Sequence, residues 1–221
     1  RSFKIDPMGM AIGLNDEQDQ VNLVPGFKGA WFSKHNNILP EIIKDLWALR
    51  DQAKQNNDAP LSQAIKIIMN SFYGVLGSGG CRFFDARLAS SITRRGHQII
   101  QQTAAFIEQQ GWAVIYGDTD SVFVWFKDVT DESAAMAVGK DLAVKLNGWW
   151  QHKLAKEYGI DSALEIEFET LYQRFLMPTV RGSDQGSKKR YAGVVMKNNQ
   201  PELVFKGLEN VRTDWTRLAR E

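Results

Sequence analysis

The chain has 221 residues, with 27 Lys and Arg against 26 Asp and Glu, a single cysteine and 43% hydrophobic residues. That hydrophobic share can bury a core, which excludes wholesale disorder, and the length suits one large domain or two small ones. Cys81 has no intrachain disulfide partner, no apolar run approaches the roughly 18 residues of a membrane span, and a formal net charge of +1 gives no overall sign of a nucleic-acid partner.

A lone cysteine points to a reducing compartment. The sequence opens on Arg1-Ser2-Phe3-Lys4, without an initiator methionine and without the basic and apolar regions of a signal peptide, so it reads as a segment from inside a longer protein. Residues 1–34 are punctuated by Pro7, Gly9, Gly13, Pro25, Gly26 and Gly29 and read as irregular, with a polar exposed loop over Asn15–Gln20. A helix is predicted from Leu39 to about Gln55, with Ile42, Ile43, Leu46, Trp47 and Leu49 as its apolar stripe and Pro40 in its first turn. After a turn ending at Pro60, a second helix runs from Leu61 to about Leu76, and so short a connection makes the pair an antiparallel hairpin.

Gly77-Ser78-Gly79-Gly80 ends that hairpin, and a long helix follows from Ala86 to about Gln110, stopped by Gly111. Two β-rich runs, Trp112–Tyr116 and Ser121–Phe126, flank Gly117-Asp118-Thr119-Asp120 and predict a β-hairpin with buried strands. An amphipathic helix is predicted over Glu132–Tyr158, then strands over Leu164–Leu171, Arg174–Thr179, Lys189–Val195 and Leu203–Phe205. The order implies an α+β fold: a platform of helices and antiparallel sheet with a helical projection.

Three features carry chemistry. Asp118 and Asp120 lie two apart, so extended backbone puts both carboxylates on one face, where they repel unless a cation neutralises them. Oxygen-only donors on a polar turn suit Mg²⁺ shared with a phosphate, although Asp and Thr also favour turns for local hydrogen-bonding reasons. Next, Arg50 and Lys54 are spaced i, i+4 on the first hairpin helix, and Lys66, Asn70 and Tyr73 are spaced i, i+4, i+7 on the second. Such a set suits a nucleoside triphosphate, while Arg50 and Lys54 taken alone read as a solvated helix face. The poor helix formers of Asn70-Ser71-Phe72-Tyr73-Gly74 are harder to explain by packing. Finally, residues 174–221 hold ten Lys and Arg against five Asp and Glu, so the near-neutral average hides a basic end. Its densest run, Lys188-Lys189-Arg190-Tyr191, follows the Gly182–Ser187 loop and suits either a nucleic-acid backbone or a charged strand edge.

Glu165, Glu167 and Glu169 alternate with Ile166 and Phe168, which reads as a solvated strand face. His35, His97 and His152 are scattered without ligand spacing, and the seven Trp residues read as packing anchors.

Taken together, these motifs resemble those of family B DNA polymerases. Lys66-Ile67-Ile68-Met69-Asn70-Ser71-Phe72-Tyr73-Gly74 matches that family's Lys-x-x-x-Asn-Ser-x-Tyr-Gly, and Tyr116-Gly117-Asp118-Thr119-Asp120-Ser121 matches its Tyr-Gly-Asp-Thr-Asp-Ser. Lys188–Tyr191 is similar to its Lys-x-Tyr element, and Lys206-Gly207-Leu208-Glu209 to the segment leading into the thumb. The likeness covers essentially the whole chain and is strongest to bacterial members, through Cys81–Asp85, Phe175–Thr179 and Val211–Trp215.

The resemblance implies a palm and fingers: a remnant of palm and linker over residues 1–34, a fingers helical hairpin over 35–78, palm over 79–214 and the start of a thumb over 215–221. It implies template-directed DNA synthesis with two Mg²⁺ ions. Asp120 would bind the metals with Asp118 in support, and one of Glu167 and Glu169 would lie nearby. Lys66, Arg50 and Lys54 would contact the incoming dNTP, with Asn70 and Tyr73 around the nascent base pair. Lys188, Lys189, Arg190 and Tyr191 would hold the primer–template DNA. A sliding clamp, no membrane and a bacterial, cytoplasmic and nucleoid-associated setting are implied as well. The family's further metal-binding aspartate, in a segment containing Ser-Leu-Tyr-Pro-Ser-Ile, would fall upstream of Arg1, and Asp6 is not accepted in its place. The chain alone is therefore expected to be inactive. The rival readings are a non-catalytic DNA-binding module and a glycosyltransferase using Asp118-Thr119-Asp120.

Overall fold

The computed structural model describes residues 1–12, 21–179, 189–208 and 216–220. The predicted Asn15–Gln20 and Gly182–Ser187 loops, Gly13, Lys188, Glu209 and Val211–Trp215 lie outside the described residues. The chain divides into two units, Arg1–Thr103 with Leu146–Glu165, and Ala104–Lys145 with Ile166–Glu221. Helices and antiparallel strands alternate through both, as an α+β fold.

In the first unit, the stretch predicted to be irregular holds a three-stranded antiparallel sheet. Strands β1 (Met10–Ile12) and β2 (Leu23–Pro25) flank β3 (Ala30–Ser33), with Phe32 opposite both Met10 and Val24. Strands this short leave little period-2 signal, and the Pro and Gly residues that suggested loops sit in the connections. Gly26 is one of them: a Cβ there would collide with the Phe32 ring and the Ala30 carbonyl, so only glycine lets the chain turn so close to β3. Val24 and Phe32 are fully buried, and Phe32 packs with Ala30, Leu76 and Leu88 in one core cluster.

Helix α1 (Leu39–Gln55) has no capping side chain of its own. Its first N–H groups are capped from a distance: the Asp6 carboxylate accepts from Leu39 N at 3.0 Å, from Ile38 N at 2.5 Å and from Met8 N at 2.9 Å. Asp6 is fully buried, so its charge is held by these amides and not presented to a metal. Helix α2 (Ala59–Leu76) is capped locally by Asp58, which accepts from Leu61 N at 3.0 Å. Of its 18 residues only Ile65 and Leu76 are buried, while Ile67, Ile68, Tyr73 and Val75 stay exposed.

Helix α3 (Ala86–Gln109) buries one row: Leu88, Ser91, Arg95, Thr103 and Ile107. Its polar members are all satisfied. Ser91 Oγ accepts from Phe27 N at 3.0 Å, and Thr103 Oγ1 accepts from Trp150 Nε1 at 3.0 Å. The Arg95 guanidinium donates to the Pro25 carbonyl at 2.5 Å and to Gln98 Oε1 at 2.6 Å, with the rings of Phe3, Phe27 and Tyr158 around it at 4.2–5.4 Å. These contacts let a cation sit in a core with no carboxylate partner among the described residues. Helix α4 (Glu132–Tyr158) buries Ala135, Gly139, Leu142, Leu146, Trp150 and Leu154 at spacings of three and four, the predicted amphipathic pattern.

The second unit carries a two-stranded ribbon, β4 (Ala113–Asp118) with β5 (Ser121–Trp125), and an antiparallel sheet in the order β6 (Arg174–Leu176), β7 (Tyr191–Lys197), β8 (Gln200–Lys206). Strands β7 and β8 join through Asn198 and Asn199, both at positive φ, which makes a type I′ turn matched to the twist of the strands. The predicted strand over Leu164–Leu171 is absent, since residues 161–173 pair with no neighbour in a ladder. The alternation that suggested it is nonetheless present, with Glu165, Glu167 and Glu169 exposed and Ile166 and Phe168 half-buried. Extended backbone alone produces that period, so side chains alternate without a sheet. Phe168 packs over Gly139 of α4, where any Cβ would enter its ring.

Candidate active site

The β4–β5 hairpin turns through two residues. Asp118 pairs with Ser121, and Thr119 and Asp120 form the tip. The Asp120 amide donates to the Asp118 carbonyl at 2.6 Å across Thr119, whose φ is +53°. An i to i+2 bond over a positive φ is the rare, strained form of γ-turn, and a β-branched residue adopts it reluctantly. Thr119 Oγ1 donates to Asp118 Oδ1 at 3.1 Å. The turn thus presents two carboxylates, Asp118 half-exposed and Asp120 exposed. Conformations this costly persist where the surroundings over-determine them.

The surroundings are an aromatic wedge. The flanking strands are not buried as predicted: β4 alternates between exposed and half-buried positions, and Ile115 and Trp125 are about half exposed. Ile115 is the extra residue of a bulge, after which Tyr116 pairs with Phe123. Tyr116, Phe123, Tyr172, Phe175 and Tyr191 form a mutual cluster, with Phe123 centroids 5.2–6.2 Å from the other four. Gly193 makes room for it, because a Cβ there would enter the Tyr172 ring. One buried face is enough to fix the ribbon.

Through this wedge the second unit brings together predicted residues from distant parts of the chain. Tyr191, almost fully buried, hydrogen-bonds Tyr172. Burial pushes the Tyr191 phenol above its ordinary pKa, and the negative charges of Asp118 and Glu169 act in the same direction. Burial likewise raises Tyr172, with Glu169 again contributing. Asp118 and Glu169 therefore both act on one phenol. The Lys189 amide donates to Tyr116 Oη at 2.7 Å. Lys189 and Arg190 immediately precede strand β7, and Lys188 lies outside the described residues. Sequence reasoning missed Tyr116 and Tyr172 as structural hydroxyls, although Tyr116 stands inside the motif that drew attention to Asp118.

The other predicted residues belong to the first unit. Lys66 and Asn70 are exposed on α2, and the Tyr73 ring is 49% exposed. Tyr73 Oη lies 2.9 Å from Thr93 Oγ1, whose own hydroxyl donates to the Ala89 carbonyl, so the tyrosine is the donor. Gly74 faces open space, with no atom within 4 Å of where a Cβ would stand, so packing does not demand glycine there. Arg50 lies 5.8 Å from the Trp47 ring, and Lys54 makes a 3.6 Å pair with Asp51 that is exposed on both sides. Such a pair contributes little and leaves the ammonium available. Among the described residues neither Lys66 nor Arg50 has an ion-pair partner.

For a divalent metal, the described residues contain no group of three or more His, Cys, Asp and Glu positioned to hold one. Asp118 and Asp120 offer hard oxygen donors for part of an Mg²⁺ shell, which commonly keeps waters and phosphate oxygens for the rest. No helix among the described residues is long and apolar enough to cross a membrane.

Comparison with known proteins agrees with the motifs. A sequence profile for DNA polymerase family B matches residues 13–221. DNA polymerase II of Escherichia coli strain K12 is 55% identical over the whole chain, which spans 28% of that protein. The DNA polymerase delta catalytic subunit of Arabidopsis thaliana is 34% identical over 91% of the chain and 19% of its own length. The solved structure of the family B DNA polymerase from the archaeon Pyrobaculum calidifontis shares the fold, with a TM-score of 0.57 at 24% identity over 94% of this chain and 25% of that one. The chain thus spans about a quarter of the relatives it matches, and it belongs to DNA polymerase family B.

Proposed function

We propose that the chain is the palm and fingers part of a DNA-directed DNA polymerase that, in a longer polypeptide, transfers a nucleotide from dNTP to a primer 3′-hydroxyl. The observation that carries this reading is the two-carboxylate turn, strained at Thr119 and wedged by five aromatic rings, with Lys189, just before β7, bonded to the same ribbon. Asp120 and Asp118 hold Mg²⁺ in this reading, with Glu169 adding negative charge at their side. Bound there, the metal would lower the pKa of the primer hydroxyl and neutralise charge developing at the α-phosphate. Lys66, with Arg50 and Lys54, binds the triphosphate, and its lack of any described ion pair leaves its charge for that purpose. Asn70 and Tyr73 flank the base and sugar, and the open surface at Gly74 gives a ligand access to the helix backbone. Lys189, Arg190 and Tyr191, with Lys188, grip the primer–template backbone.

In this division residues 35–78 are the fingers, 79–214 palm, 1–34 palm remnant and linker, and 215–221 the start of the thumb. A sliding clamp would be met by the longer polypeptide, in the bacterial cytoplasm at the nucleoid. Residues 1–221 alone are expected to leave a primer unextended.

The test is a chimera in which residues 1–221 replace the matching 28% of E. coli DNA polymerase II. The parent chimera should extend a primer, and Asp120→Ala should lower the rate by about a thousandfold, on the order of 4 kcal/mol of transition-state stabilisation. Full activity in that variant would refute the metal role. Metal-dependent binding of sugar nucleotides in preference to dNTP would replace the polymerase reading altogether.

A further inference from the structure

We propose that Tyr116 is a positioning residue that ties the DNA-gripping Lys189–Arg190 segment before β7 to the carboxylate turn, so that the two behave as one rigid body. The inference rests on the polymerase reading above and adds a role to a residue that touches neither nucleotide nor metal in it.

The geometry is specific. Tyr116 lies on β4 two residues before Asp118, so both side chains leave the same face of the strand. Its phenol oxygen accepts the Lys189 N–H at 2.7 Å, a bond between residues 73 apart in sequence. Lys189 needs such a tether because its φ of +63° is left-handed, a conformation that a lysine abandons when nothing holds it. The other side of the same residue is pinned too. Gly207, at φ +62°, approaches the Lys189 carbonyl so closely that a Cβ there would overlap it. The Lys189 backbone is therefore clamped between a phenol from β4 and a glycine after β8. The ring of Tyr116 completes the contact edge-on against Tyr191, with centroids 6.5 Å apart. Removing the hydroxyl alone leaves this ring packing intact and releases only the tether. Lys189 and Arg190 would then sample positions displaced from the turn, and DNA would be held less tightly beside Asp118 and Asp120.

The test uses the chimera with residues 1–221 in E. coli DNA polymerase II. Tyr116→Phe should raise the Kd for primer–template DNA by roughly three- to tenfold, the range of one net hydrogen bond. The rate at saturating DNA and the KM for dNTP should stay within about twofold. Lys189→Ala keeps the N–H and the left-handed strain but removes the ammonium. If Tyr116 acts by placing that segment, the double variant should lose less DNA affinity than the two single losses combined. Gly207→Ala disturbs the clamp from its other side without touching the tyrosine, and should reproduce the DNA effect even if Tyr116→Phe folds poorly. An unchanged DNA Kd in Tyr116→Phe and Gly207→Ala, additive losses in the double variant, or a fall in rate at unchanged Kd would each overturn the proposal. If Asp120→Ala abolishes extension while these variants bind DNA normally, only the positioning role fails. If Asp120→Ala keeps full activity, the polymerase reading fails with it.

Discussion

The α1–α2 hairpin and the β4–β5 hairpin both present residues of the family's motifs, but they are built in opposite ways. Helix α2 holds Lys66 and Asn70 by helical register, with Tyr73 also bonded to Thr93, and most of the helix is exposed. The β4–β5 turn is held by five rings, a bulge, a strained backbone and a hydrogen bond to Lys189. The difference fits the chemistry proposed for each. Two carboxylates close together repel, so their geometry must be imposed from outside. Cations that meet a flexible triphosphate need only share a face, and their partner supplies the rest of the order.

Perturbing each hairpin in turn sharpens that contrast. Phe123→Ala removes the ring at the centre of the wedge and should destabilise the second unit by about 3 kcal/mol, seen as a lower denaturant midpoint. Ile67→Ala on α2, where the side chain is 59% exposed, is the control and should cost well under about 1 kcal/mol. If the two variants lost equal stability, the contrast between the hairpins would be mistaken. Lys66→Ala in the chimera should raise the KM for dNTP by about tenfold or more, near 2 kcal/mol, with the melting temperature unchanged. The smallest effect is also the most diagnostic. Gly74→Ala should stabilise α2 by up to about 1 kcal/mol, because the site is helical and open. A better folded variant with weaker dNTP binding would show that the glycine is kept for a ligand; tighter or unchanged binding would reduce it to an accident of sequence.

Much of this was legible in the sequence. The four long helices follow from apolar periodicity and from stops such as Gly111, and the carboxylate turn from Gly and Asp between β-rich runs. The motifs around Lys66 and Asp120 were legible because each is local in sequence. What stayed hidden was non-local. Asp6 caps α1 from 32 residues upstream, and no window of sequence connects them. The first sheet is made of strands of three and four residues, too short to show a period. The glutamate run showed the right alternation and implied the wrong partner, because period 2 reports extended backbone and not a ladder. Tyr116 looked like part of an apolar strand, and its hydroxyl acquires meaning only once Lys189 is folded against it.

The buried row of α3 has a consequence of its own. An apolar stripe can slide along a groove by a turn and lose little, since one leucine resembles another. Ser91, Arg95 and Thr103 cannot, because each has a named partner in the Phe27 amide, the Pro25 carbonyl and the Trp150 indole. Moving the helix by one turn would strand a hydroxyl, a guanidinium and an indole together, at a penalty of about 1–3 kcal/mol for each neutral group and more for the charge. Helix α3 is thus keyed like a shaft in a slot, and a single rotation and a single axial position satisfy it.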